Sequence, residues 1–197
     1  YPTDTIVIEK GMTSLGALVE DTLYTVKTTS DVNTKVNSVE INVATGNFTV
    51  VYTLKVGEKL LFTELTALTG KPEEKFNKNV VDNDATVVET LVGVTVPNKA
   101  VSLYVNSQKD GAKMYVLNAD GTATTLNAAF DSNKVLTATA KVAGPVVVTD
   151  KAITASSATT GTGNTTNPGT GANDVVGVAA ALAVVALVSG AAISLKK

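Results

Sequence analysis

Few side chains in this 197-residue chain can do chemistry, and the inventory excludes most catalytic devices. It holds no His, Cys, Trp or Arg, and all 16 basic residues are Lys against 18 Asp and Glu. Nucleophile systems built on His or Cys are therefore absent, as are the common zinc and haem ligand sets. With no guanidinium fork and a net charge of −2, the chain is not expected to bind nucleic acid. Asp82-Asn83-Asp84 offers closely spaced oxygen ligands, as a Ca²⁺ loop does, but lacks the full EF-hand spacing and has the composition of an ordinary turn. Glu73-Glu74 beside Lys71 and Lys75 reads as a solvated charged loop. Carboxylate pairs could serve glycoside hydrolysis. Five Tyr, four Phe and no Trp leave little to stack a sugar, so neither an enzyme nor a cofactor is expected.

The more specific chemistry lies near the C-terminus. Between Ala152 and Asn173 there is no charged residue, and residues 175–195 form a second uncharged run, mostly Ala, Val, Leu and Gly. As a helix that run is about 31 Å long, the thickness of a bilayer's hydrocarbon core. Nothing polar alternates within it, so a soluble fold would have to surround it on all sides. Lys196-Lys197 follows, where a cytoplasmic stop belongs. Asn167-Pro168-Gly169-Thr170-Gly171 precedes the run.

In this order the three parts resemble the C-terminal sorting signal of Gram-positive surface proteins, here with Asn in place of the commoner Leu of L-P-x-T-G. The resemblance covers residues 167–197. It implies a membrane-bound sortase as partner and cleavage between Thr170 and Gly171. A sortase Cys would attack the Thr170 carbonyl and pass the acyl group to an amine of cell-wall peptidoglycan or of another protein. Asn167 would be read by its side chain, and Pro168 would pre-bend the segment. Gly169 and Gly171, without Cβ atoms, would let the backbone approach the enzyme. The apolar run and lysine pair would hold the precursor in the membrane until cleavage. A permanent single-pass anchor and a GPI signal are the competing readings of the same tail.

Tyr1 opens neither a basic n-region nor an apolar h-region, so an exported chain is expected to start after a processed leader. Residues 154–166 read as a Thr/Ser/Gly linker spanning roughly 20 Å as a coil and at most about 45 Å extended. So short a tether suits a wall-anchored display protein or adhesin, and equally a self-polymerising pilin. Pilins and adhesins of this kind often carry Lys–Asn isopeptide bonds beside a carboxylate. Lys27 and Lys141 are the candidate lysines here, with Glu40, Glu64, Asn42 and Asn127 as candidate partners. Leu61 to Leu65 is faintly like the pilin E-box.

The elements that must carry these residues read as β. Val, Thr, Ile and Tyr dominate the body, with period-two alternation in 38–43 and 48–56. Val39, Ile41 and Val43 are expected on one face, and Phe48, Val50, Tyr52, Leu54 and Val56 are expected to point inward. Ala44–Asn47 is the turn between these two strands, and Asn118–Gly121 separates strands at 113–117 and 122–126. Further strands are expected at 5–9, 23–28, 59–67, 87–96, 101–105, 135–142 and 146–149, with 14–19 open between a strand and a short helical turn. The fold class is all-β: an immunoglobulin-like β-sandwich body, either one composite or two small sandwiches, then a flexible linker and a C-terminal transmembrane-type helix. Pro97-Asn98 is the candidate boundary, giving a sandwich over 1–97 and a second β-rich unit over 98–153 packed on it.

Overall fold

Alternating β-branched and polar residues make strands here wherever one side-chain set reaches the core. The computed structural model describes residues 1–9, 11–28, 37–106 and 108–157. In chain order the elements are β1 (Thr3–Ile8), β2 (Leu23–Thr28), β3 (Ser38–Thr45), β4 (Phe48–Lys55), β5 (Lys59–Glu64), α1 (Gly70–Asp82), β6 (Val87–Leu91) and β7 (Thr95–Pro97). They continue as β8 (Val101–Val105), β9 (Lys113–Leu117), β10 (Ala123–Thr125), β11 (Ala129–Phe130), β12 (Leu136–Ala140), β13 (Val146–Thr149) and β14 (Ser156–Ser157).

Among the described residues the protein is mostly β, in three sheets. One has the order β1-β2-β5-β7, with β1 parallel to β2. The second runs β11-β12-β8-β4-β3, and the third β14-β10-β9-β13-β6. Strands from both sides of Pro97 are hydrogen-bonded within the second and third sheets, so residues 98–153 close no sheet of their own.

The main core draws on all three sheets, including Val26, Phe62, Ile41, Leu54, Leu103, Met114 and Val148. Phe48, Val50, Tyr52 and Leu54 point into it as the alternation requires, whereas Val56 lies in the turn after β4 and is 41% exposed. Ile41 is buried, with Val39 and Val43 packed half-buried beside it. The third sheet is covered on both faces. Met114, Val146 and Val148 face the main core, while Tyr115, Leu117, Ala123 and Val147 meet Phe76 and Val80 of α1. That double cover explains why every residue of β13 is buried and why its sequence does not alternate.

Two expectations are corrected. The charged segment around Lys71, Glu73, Glu74 and Lys75 is helical rather than a loop. Pro72, Phe76 and Val80 recur every fourth residue, which puts them on one stripe, and Phe76 and Val80 are buried against the third sheet. Pro72 is tolerated because the first helical turn needs no partner for its N–H groups, and Glu73 lies in that turn. Asp84 (φ 54°) ends the helix, with its N–H on the Val81 carbonyl and that of Ala85 on the Val80 carbonyl. The strand expected over 87–96 is two strands, β6 and β7, in different sheets. Gly93 at φ 77° turns the chain between them, and its N–H meets the Leu65 carbonyl.

A half-buried ion pair ties the β4–β5 turn to the β7–β8 connection. Lys99 Nζ lies 2.9 and 3.0 Å from the two Glu58 carboxylate oxygens and also donates to the Thr53 carbonyl. Burial lowers the Lys99 pKa, opposed by the hydrogen bond and charge of Glu58. Burial pushes the Tyr52 phenol up to about 12, and burial is also the largest cause of the rise of Tyr104 to about 12.

These shifts set the alkaline limb of stability. Between the ordinary tyrosine value of 10.0 and about 12, the native state binds more protons at Tyr52 and Tyr104 than the unfolded state, so their contribution falls as pH rises. Lys99 has the opposite sign: its native value lies below 10.5, so its contribution rises with pH up to that value. Tyr52→Phe is therefore expected to flatten the fall in stability above about pH 10. Urea midpoints measured through that range would check it, and an unchanged slope would contradict it.

Candidate functional site

The sorting pentapeptide Asn167, Pro168, Gly169, Thr170 and Gly171, the apolar run 175–195 and Lys196-Lys197 all lie outside the described residues. Among the described residues, no helix is long and apolar enough to cross a membrane. The described fold does contain the place from which the chain leaves toward those segments, and it is built with care.

The start of the expected linker is corrected, because residues 154–157 are held by the body. Helix α1 presents Asn79, and Asn83 follows one turn later as the C-cap just past the helix. Asn79 Nδ2 donates to the Thr154 carbonyl at 2.8 Å, and the Thr154 N–H donates to Asn79 Oδ1 at 3.0 Å. The side-chain amide thus pairs with a backbone residue as a neighbouring strand would. Asn83 Nδ2 supports it, 2.8 Å from Asn79 Oδ1 and 3.3 Å from Thr154 Oγ1. One residue earlier, Ile153 is 7% exposed among Phe76, Val80 and Tyr115, and its N–H donates to the Tyr115 hydroxyl at 3.0 Å. Downstream, β14 pairs parallel with β10, Ser156 opposite Thr124 and Ser157 opposite Thr125. Upstream, Asp150 and Thr86 exchange two hydrogen bonds of 3.1 and 2.7 Å. The Thr149 hydroxyl donates to the Lys151 carbonyl at 2.6 Å.

A cleft of about 410 Å³ opens beside this segment, lined by Lys75, Lys78, Asp82, Thr122 and Ser156 among others. Several of its polar groups already have partners. Lys78 pairs with Asp82 at 2.6 Å, and the Thr122 hydroxyl donates to Asp120 at 2.6 Å, a bond that lowers the Asp120 pKa.

The residues singled out for metal chemistry are placed differently from a cation loop. Asp82 is the last residue of α1 and faces Lys78, while Asp84 takes Lys151 at 3.0 Å, the hydrogen bond that raises the Lys151 pKa. Each carboxylate points at its own ammonium rather than at a shared position. No group of three or more metal-ligating side chains occurs among the described residues.

The candidate isopeptide residues are scattered. Lys27 is exposed on β2 opposite Val7, and Lys141 is exposed just beyond β12. Glu40 and Asn42 lie on β3, the edge of another sheet, opposite Thr53 and Val51. Glu64 is exposed at the end of β5, and Asn127 is exposed after β10. At both positions the neighbouring residues, Val26 beside Lys27 and Ala140 and Val142 beside Lys141, and not the lysine, face the core. Among the described residues the half-buried lysine is Lys99, which sequence reasoning passed over. Asn79 and Asn83 were also missed. Their spacing on a helix was legible once α1 is recognised, but their partner Thr154 lies far along the chain. Searches of protein-family models, curated proteins and solved structures returned no match to this chain.

Proposed function

We propose that this is an exported, non-enzymatic surface protein that a sortase joins to the cell wall between Thr170 and Gly171. The body would then serve surface display or adhesion, and the apolar run and lysine pair would hold the precursor in the membrane until transfer. The observation that carries this reading is the ordered series of Asn167 to Gly171, an uncharged run of bilayer length and a terminal lysine pair. We further read the body as an immunoglobulin-like sandwich of stacked sheets, since one core joins residues from all three. The short span between body and pentapeptide also suits a second reading, a subunit polymerised into a surface fibre.

Peptide mapping of the native protein tests the first reading. The C-terminal fragment is expected to end at Thr170 in amide linkage to a wall amine, and Thr170→Ala is expected to abolish that linkage and leave full-length protein in the membrane fraction. Recovery of unlinked Lys196-Lys197 from mature material would overturn the reading. A ladder of multiples in wall extracts would identify the fibre, whereas a diffuse wall-bound band would identify single-copy display.

A further inference from the structure

We propose a further function for residues 150–157 and the helix that grips them: they form a latch that carries mechanical load between the C-terminal attachment and the core. The inference rests on the covalent anchoring proposed above, which makes the C-terminal end of the chain the end that is pulled.

Of the described residues, Ser157 is the first that tension arriving along the chain would meet. Behind the latch stands β13, which is buried along its whole length and hydrogen-bonded to β6 on one side and β9 on the other. Drawing β13 out would break two ladders and open both cores at once. Between the attachment and β13, the chain is fastened to four different places in turn. Ser156-Ser157 hold to β10, Thr154 to Asn79 of α1 and to Asn83 just past it, Ile153 to Tyr115 of β9, and Asp150 to Thr86. Because the fastenings sit on separate elements, losing one leaves the next in place. Ile153 adds a bulk that must leave an apolar pocket before tension reaches Asp150. The exposed Lys151–Asp84 pair contributes little. Asn79, Asn83 and Thr154 have no titratable group, so their grip is insensitive to pH.

The absence of cysteine lets pulling handles be placed at will in the full chain. One pair, Tyr1→Cys with Thr165→Cys, loads the latch, and a second, Tyr1→Cys with Lys141→Cys, bypasses it. At constant load, Asn79→Ala is expected to shorten the lifetime of the first opening roughly tenfold in the first geometry, as loss of two hydrogen bonds implies. That opening is expected to release at most about 28 Å, the fully extended length of residues 150–157, less the distance they already span in the fold. In the second geometry the lifetime is expected to be unchanged. Tyr115→Phe, which keeps the ring and removes the acceptor of the Ile153 N–H, should give the same contrast. An unchanged lifetime in the first geometry, or an equal fall in both, would overturn the latch. Failure of the anchoring reading is scored separately, by the C-terminal peptide of native protein.

Discussion

Phe62→Ala is expected to cost the fold about 3–5 kcal/mol, the range for deleting a buried aromatic ring. Phe62 is fully buried on β5 and sits where two sheets meet. The Tyr24 ring, from β2 of the same sheet, meets it edge-on at 5.5 Å and 89°. The Tyr52 ring, from β4 of the second sheet, approaches at 6.3 Å and 62°. Each such pair contributes about 0.5–1.5 kcal/mol beyond burial. The walls of the resulting cavity are strands fixed by their own ladders, so little collapse can refill it. No disulfide stands behind this core, and a total stability of about 5–15 kcal/mol leaves the variant close to unfolding. Phe62→Leu, which keeps most of the volume, is expected to lose less than about 1.5 kcal/mol. Urea denaturation of both variants gives the comparison, and a loss under about 1 kcal/mol for alanine would mean that the ring is not central.

The same residues show what a sequence can and cannot disclose. Strands β2, β8, β9 and β13 lie where runs of Val, Tyr, Leu and Thr predict them, because local alternation or a bounded apolar run sufficed. Helix α1 was legible but overlooked. Pro72 and Glu73 belong to a helix start, and Pro72, Phe76 and Val80 share one stripe, but the intervening Lys and Glu residues imitate a charged loop. Gly93 falls inside the single strand expected over 87–96 and is in fact the passage between two sheets. Sheet order was out of reach, since β4 pairs with β8, and β13 with β9 and β6, across long stretches of chain. The same holds for Lys99 with Glu58, 41 positions apart, and Asn79 with Thr154, 75 apart. An Asn inside a helix says nothing of what its amide will hold. Composition told where charge stops, at Ala152, but not where the fold stops, since uncharged Ile153, Thr154 and Ser156 are tied in by burial and hydrogen bonds that charge counting does not see.

Gly121→Ala is expected to destabilise the protein by about 2–6 kcal/mol, combining backbone strain with a steric clash. Gly121 lies in the β9–β10 turn at φ 91°, beyond the left-handed region that L residues occupy most easily. The turn is tightly specified: the Gly121 N–H meets the Asn118 carbonyl, the Asn118 N–H meets the Thr122 carbonyl, and Asp120 accepts from the Thr122 N–H. It presses on the first turn of α1. A Cβ at Gly121 would stand 2.4 Å from the Pro72 carbonyl oxygen and 2.9 Å from its Cα, so backbone rather than a pliable side chain must move. Displacing that end of α1 disturbs Phe76 and Val80 against Tyr115 and Leu117, and with them Asn79 against Thr154. Gly46→Ala is the comparator, because Gly46 also has positive φ (57°) but nothing within 4 Å of its Cβ position. It should lose only the cost of a left-handed L residue, about 1–2 kcal/mol. Equilibrium denaturation of the two variants isolates the helix contact, and amide exchange over α1 should quicken in Gly121→Ala alone. Equal losses would mean that the turn and the helix merely touch. An excess in Gly121→Ala would make the missing side chain at position 121 the condition for seating α1, and thereby for the grip of Asn79 on the departing chain.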